Sequence, residues 1–234
     1  MSEGRAVSAI MAVFDGERFV ADALGSIFGQ TRPPAEVCVV DDGSTDGTAA
    51  VVAAFAGVRY LRRAVRSGQA AALNLGVAST GGDRLAFLDA DDVWAAEKLH
   101  VQGQALDSNP AIDVVYGYMR ERVIGAGAPA EVAARDGAVR CAYLPGAMLI
   151  RRAAFERVGG FDTRFTLGSV VDWYARSCEV GLHSLTLPDV VYERRIHGAN
   201  TGIKQARHRT DYLQVVKAAL DRRRARAAER KPGP

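Results

Sequence analysis

Apolar residues in the first half of the chain fall into short unbroken runs, separated by stretches in which they recur at helical spacing. "VSAIMAVF" from Val7 reads as a buried strand, and residues 17–30 read as a helix stopped by "TRPP". "EVCVV" is a second buried strand, "DDGSTDGT" a turn, and "AAVVAAFAG" the helix it opens; "VRYL" is a short third strand. "GQAAALNLGVAST" is an Ala-rich helix closed by Gly81-Gly82, "RLAFLD" another buried strand, and "WAAEKLHVQGQALDSNP" a helix ended by Asn109-Pro110. Apolar strands alternating with helices predict an α/β fold with a mostly parallel central sheet covered on both faces.

The second half is less regular. "DVVYGYM" reads as a strand and residues 124–137, rich in Gly and Ala, as a loop or weak hairpin. "AAFERVGGFD" reads as a short helix with Gly159-Gly160 at its C-terminal cap, and "DWYARSCEVG" as another helix. "HSLTLPDVVYERRIHG" predicts two strands broken at Pro188-Asp189. Residues 205–228 predict an amphipathic helix with Tyr212, Val215, Val216 and Leu220 on one stripe.

Composition adds bounds. With 234 residues, 48% hydrophobic and 24% charged, the chain supports one sizeable core. A net charge of +3 is too small to argue for a nucleic-acid partner. The excess is concentrated after Lys217, where arginines dominate. Cys38, Cys141 and Cys178 lie far apart and form neither a metal pattern nor a disulfide framework, so a cytoplasmic location is expected. The first apolar run is too short for a membrane span and lacks the flanks of a signal peptide.

Ligands of open α/β sheets bind beyond the carboxyl ends of the strands. Three acidic groups fall there: Asp15 after the first strand, Asp41 and Asp42 after the second, and Asp89, Asp91 and Asp92 in "LDADDVW". Such crowding raises the cost of ionising each carboxylate. A hard divalent cation, or hydrogen bonds to a ribose and a base, would offset that cost. Taken alone, "DDGSTDGT" reads equally as a turn and helix start, and "DADD" as a solvated loop; their joint placement favours a ligand site. The chain lacks the glycine and distal glutamate of an EF-hand, a phosphate-cradling loop and a dinucleotide fingerprint.

"VVDDGSTDGT", "GQAAALNLGVASTGGDRLAFLDADDVW" and "GAMLIRRAAFERVGGFD" together resemble the family-2 glycosyltransferases of the GT-A fold, over nearly the whole chain to about Asn200. The resemblance implies a Rossmann-like nucleotide-sugar-binding half (residues 1–110), an acceptor-side half (111–203) and a basic C-terminal helix or tail (204–234). It implies transfer of a sugar from a nucleotide diphosphate sugar, usually with inversion, assisted by Mn2+ or Mg2+. The acceptor is open: a glycan, a lipid-linked molecule or a small molecule.

Carried over by position, the resemblance places Val13, Phe14 and Glu17 around the base and ribose, and has Asp42 accept a hydrogen bond from the base. Asp89 would hold the ribose, and Asp91 would ligate the metal with Asp92 in support. Arg66, Gly68 and Asn74 lie where nucleotide and sugar approach, although Arg66 reads equally as a solvated arginine and the other two as helix start and packing. "YERRIHGAN" resembles the family's segment after the last strand; His197 would complete the metal sphere or contact the diphosphate, and Arg194 and Arg195 would neutralise its charge. Trp94 and Trp173 read as sugar platforms or as core.

Two departures stand out. The family's Pro-Val-Tyr-Asn reads Ala12-Val13-Phe14-Asp15, which removes a hydroxyl and adds a charge. Many relatives carry a Glu-Asp pair ahead of an Asp-Trp; here Ser169 and Val170 occupy that place and only Asp172 remains. Asp172 is therefore the candidate general base, with helix capping as its other reading and His183 and Glu193 next in line. The missing pair also motivates a second hypothesis, a degenerate transferase that binds a nucleotide sugar or a partner without turnover. A nucleotidyltransferase would want a Gly-rich basic N-terminal loop, which "MAVFDGERF" is not, and a polymer-extruding synthase would want membrane helices. The basic tail suggests either a solvated helix end or a weak peripheral contact with anionic lipid.

Overall fold

The computed structural model describes residues 5–125, 130–198 and 210–229. Strands β1 (Val7–Val13), β2 (Glu36–Asp41), β3 (Val58–Arg62) and β4 (Arg84–Asp89) alternate with helices α1 (Val20–Phe28), α2 (Thr48–Ala53) and α3 (Gln69–Ala78). They form a parallel block in the order β3-β2-β1-β4. The sheet continues through β8 (Leu149–Arg151), β6 (Val114–Val123), β9 (Ser184–Ile196) and the two-residue β5 (Val93–Trp94), with β7 (Val139–Ala142) pairing β6. Helices α4 (Lys98–Ser108), α5 (Ala130–Ala133), α6 (Arg152–Val158), α7 (Ser169–Glu179) and α8 (Thr210–Glu229) complete the fold.

Strand periodicity explains why the apolar runs are continuous. Val7, Ala9, Met11 and Val13 of β1 face one core with α1 and α4, whereas Ile10 faces a second core with Phe87, Leu73 and Phe155. β4 divides the same way, with Ala86 and Leu88 on one side and Leu85 and Phe87 on the other. Burying each of the Val, Leu, Ile, Met and Phe side chains contributes about 1.5–3 kcal/mol. Helix α3 lies so close to β1 that a Cβ at Gly76 would meet Ile10 Cγ2 at 2.5 Å.

Several expectations are revised. The helix expected from Trp94 starts at Lys98, because Val93 and Trp94 pair antiparallel with Glu193 and Tyr192. Instead of two strands, β9 runs unbroken through Pro188-Asp189, with its pairing to β6 slipping there: Tyr116 faces Thr186, and Tyr118 faces Val190. Gly117 sits at this bulge, where a Cβ would strike Val191 Cγ1 at 2.5 Å. The loop after β6 carries α5, and residues 205–209 of the expected C-terminal helix lie outside the described residues. One sheet passes through both expected halves. Among the described residues, no helix is long and apolar enough to cross a membrane.

Candidate active site

β4 ends at Asp89, and the turn that follows carries Asp91 and Asp92 into β5. Because β5 pairs with β9, the "DADD" turn and the "RRIH" end of β9 meet at one edge. Oxygens of Asp89, Asp91 and Asp92 all lie within 4.8 Å of one another. Asp89 Oδ1 accepts a 2.7 Å hydrogen bond from Gln69 Nε2 at the start of α3. Asp92 is buried and accepts one from the Arg195 backbone N–H at 2.7 Å. His197 Nε2 lies 3.1 Å from Asp91 Oδ2, and its ring stacks on Phe19 with centroids 4.4 Å apart.

The cluster is electrostatically loaded. Burial, and then the charge of Asp91, push the Asp89 carboxyl up to about 6, against the opposing pull of Arg194. Burial, and then the charges of Asp89 and Asp91, push Asp92 well above the carboxylate range. Arg194 is half-exposed, with Nη1 3.9 Å from Glu121 Oε1. Fully buried Glu121 also binds Arg135 and Arg140, so Arg194 shares its partner with two other guanidinium groups.

The donor set fits a hard divalent cation: three carboxylates at close range, an imidazole on one of them, and excess negative charge. Asp89, Asp91 and Asp92 would hold such an ion, with His197 at its edge.

A second feature lies at the ends of β1 and β2. The Arg66 guanidinium stacks over the Phe14 ring, 3.7 Å from its centroid. The loop carrying Arg66 is fastened by Asp42, whose carboxylate accepts the Ser67 N–H at 2.9 Å and the Gly68 N–H at 2.7 Å. Arg63 lies 3.5 Å from the same carboxylate. Gly68 has φ +90°, which explains a glycine there.

Several expected ligand contacts are otherwise engaged. Val13 is buried in the core, and its carbonyl accepts the Asp42 N–H. Glu17 accepts the Gly47 N–H at 3.0 Å, while Asp15, at φ +48°, accepts the Thr45 N–H at 2.8 Å; both tie the β1–α1 loop to the turn after β2. The Asn74 side chain exchanges two 2.8 Å hydrogen bonds with the Phe161 backbone. Arg195 is a strut rather than a free cation: Nε donates to the Asp91 carbonyl at 2.5 Å, and Nη1 binds Asp22 Oδ2 at 2.7 Å. Trp94 and Trp173 are both core residues.

Asp172, the candidate base, is buried and ion-paired on both sides. Its side chain is 1% exposed, with one oxygen on Arg176 Nε at 2.8 Å and the other on Arg222 Nη1 at 3.0 Å. Both carboxylate oxygens are paired with guanidinium groups, so in this arrangement Asp172 pins α8 to α7. His183 sits at the opposite end of β9 from His197, against the Ala111 carbonyl. The sequence reading missed Gln69, Phe19 and Glu121. Only Gln69 carried a local signal, a polar residue opening a helix after a glycine.

Known proteins place this geometry. Residues 8–129, about half of the chain, match the family model "Glycosyl transferase family 2". The Escherichia coli UDP-Glc:alpha-D-GlcNAc-diphosphoundecaprenol beta-1,3-glucosyltransferase WfgD is 34% identical over 113 residues, 47% of this chain and 44% of that one. S. aureus TarS 1–349 in complex with UDP-GlcNAc superimposes with a TM-score of 0.73 at 18% identity, covering 92% of this chain and 65% of that one. The mannosyltransferase PcManGT from Pyrobaculum calidifontis, in complex with GDP-Man and Mn2+, gives 0.67 at 22% identity, covering 97% and 65%. The chain spans less than half the length of most curated relatives it matches. The two solved structures share its fold, a GT-A type α/β architecture. With the family model spanning the parallel block, the "DADD" turn and β6, the chain belongs to glycosyl transferase family 2.

Proposed function

We propose that the chain transfers a sugar from a nucleotide diphosphate sugar to a hydroxyl acceptor, with inversion and with help from Mn2+ or Mg2+. The observation that carries this reading is the meeting of Asp89, Asp91 and Asp92 with His197 and Arg194 at one sheet edge. The nucleotide sugars bound by TarS and PcManGT, and the Mn2+ bound by the latter, support it.

In this reading the base enters beside Phe14 and Arg66, and Asp42 shapes that slot by holding its loop. Asp89 orients the ribose, steadied by Gln69. A bound divalent cation supplies positive charge to the leaving diphosphate. Arg194, held by Glu121, adds a second positive charge on the same side. The acceptor hydroxyl must lose its proton on the opposite face. The acceptor itself is a glycan, a lipid-linked molecule or a small molecule; the diphosphoundecaprenol acceptor in the WfgD name makes the lipid-linked class the first to test.

One observation favours a second reading, binding without turnover. Ser169 and Val170 replace the expected acidic pair, and Asp172 is held by two arginines. A panel of UDP- and GDP-sugars, with and without Mn2+ and with lipid-linked and soluble acceptors, separates the two. Nucleoside diphosphate release that needs both metal and acceptor supports transfer. Tight metal-dependent binding with no release under any combination supports the binding-only reading.

A further inference from the structure

Helix α8 has two unlike faces. The inner face is fastened: Val215 and Asp211 are buried, and Asp211 Oδ2 accepts the Thr166 and Leu167 N–H groups at 2.8 and 3.1 Å. Arg222 binds Asp172 and Glu179 on α7. The outer face is apolar and open. Leu213, Val216 and Leu220 follow one another at helical spacing and are 72%, 57% and 46% exposed. Tyr212 stands beside them, 43% exposed. Exposed cations flank the stripe, with Lys217 and Arg224 on one side and Arg223 on the other. Among residues 211–225, whose exposure is described, Asp221 is the only exposed acidic residue, and Arg224 lies 3.7 Å from it.

We propose that the outer face of α8 is a membrane-contact surface that lies on an anionic bilayer. An apolar stripe bordered by cations is the pattern of a helix resting in a lipid interface: the apolar side chains enter the acyl boundary and the cations meet headgroup phosphates. The occupant is chosen by charge. A second copy docked through the same patch would set three cations and one carboxylate against an identical set. The ion pairs to α7 fix the helix, so the stripe cannot roll inward to cover itself. This inference does not depend on the transferase reading.

The test is co-sedimentation of the full chain with vesicles of equimolar phosphatidylglycerol and phosphatidylcholine at low ionic strength, with pure phosphatidylcholine as the comparison. The intact chain should sediment with the anionic vesicles only, and less as salt is raised. The double variant Leu213→Glu, Leu220→Glu keeps every basic residue and should bind at least about tenfold more weakly, with an unchanged circular dichroism spectrum. Three results overturn the proposal. The intact chain does not sediment with anionic vesicles, or the double variant sediments as well as the intact chain. In the third, light scattering finds a dimer that the double variant dissociates, which gives the face to a second copy.

Discussion

His197 and Asp91 are 106 positions apart, yet the imidazole Nε2 lies 3.1 Å from the Asp91 carboxylate. The ring is held from behind by Phe19, so its approach is set by packing as well as charge. A group so placed orients its partner for a cation. His197→Ala should therefore lower Mn2+ affinity by about 10–100-fold while leaving the fold intact. Paramagnetic titration of free Mn2+ reads this directly, and an unchanged affinity would remove His197 from the site.

Asp89 gives a prediction with opposite signs in two conditions. The unfolded carboxyl titrates near ~3.9, and burial with Asp91 raises the folded one to about 6. Between those values the folded state holds the extra proton, so the metal-free fold loses stability as pH rises through the window, and the loss is complete above it. Asp89→Asn should raise the metal-free melting temperature by about 2–4 °C at neutral pH, a gain of ~1 kcal/mol, and by little near pH ~4. In saturating Mn2+ the order should reverse, because the native carboxylate then has its counter-ion. Calorimetric melts with and without Mn2+ check both signs.

Asp172 separates a structural duty from a chemical one. If it serves chiefly to hold Arg176 and Arg222, Asp172→Asn should cost about 1–3 kcal/mol of stability and speed proteolysis of α8. A free general base would instead leave the melt nearly unchanged and lower turnover by about two to four orders of magnitude. Melting and limited proteolysis, run beside a turnover assay, distinguish these outcomes.

The stacked pair Phe14 and Arg66 makes the fourth test. Phe14→Ala should weaken nucleoside diphosphate binding by about tenfold, in line with ~1–3 kcal/mol for losing one stacking platform. Mn2+ binding alone should be unaffected. Equal nucleotide affinity in the variant would place the base elsewhere.

Local pattern carried much of the fold. β4 runs from Arg84 to Asp89 as its apolar run predicts, and α3 begins one residue after Gly68. Non-local pairing was not legible. The two residues of β5 have no periodicity of their own and become a strand only because β9 is there to pair with them. The acidic cluster was readable because strand ends announce it. Which polar groups were already committed was not: Glu17, Asn74 and Arg195 are engaged by groups 30, 87 and 173 positions away. Arg222 reaches Asp172 across 50 positions, and no local signal marks that contact.

In the proposed mechanism the β4–β9 junction binds a nucleotide diphosphate sugar through a cation held by its carboxylates. Isothermal titration of UDP- and GDP-sugars into the intact chain and into Asp91→Ala, each in Mn2+ and in chelator, tests it most directly. At least one donor should bind the intact chain in Mn2+, with a loss of about 100-fold or more in chelator or in Asp91→Ala, equivalent to ~2.7 kcal/mol. Equal affinity with and without the metal, or an Asp91→Ala chain that binds as the intact one does, would contradict it.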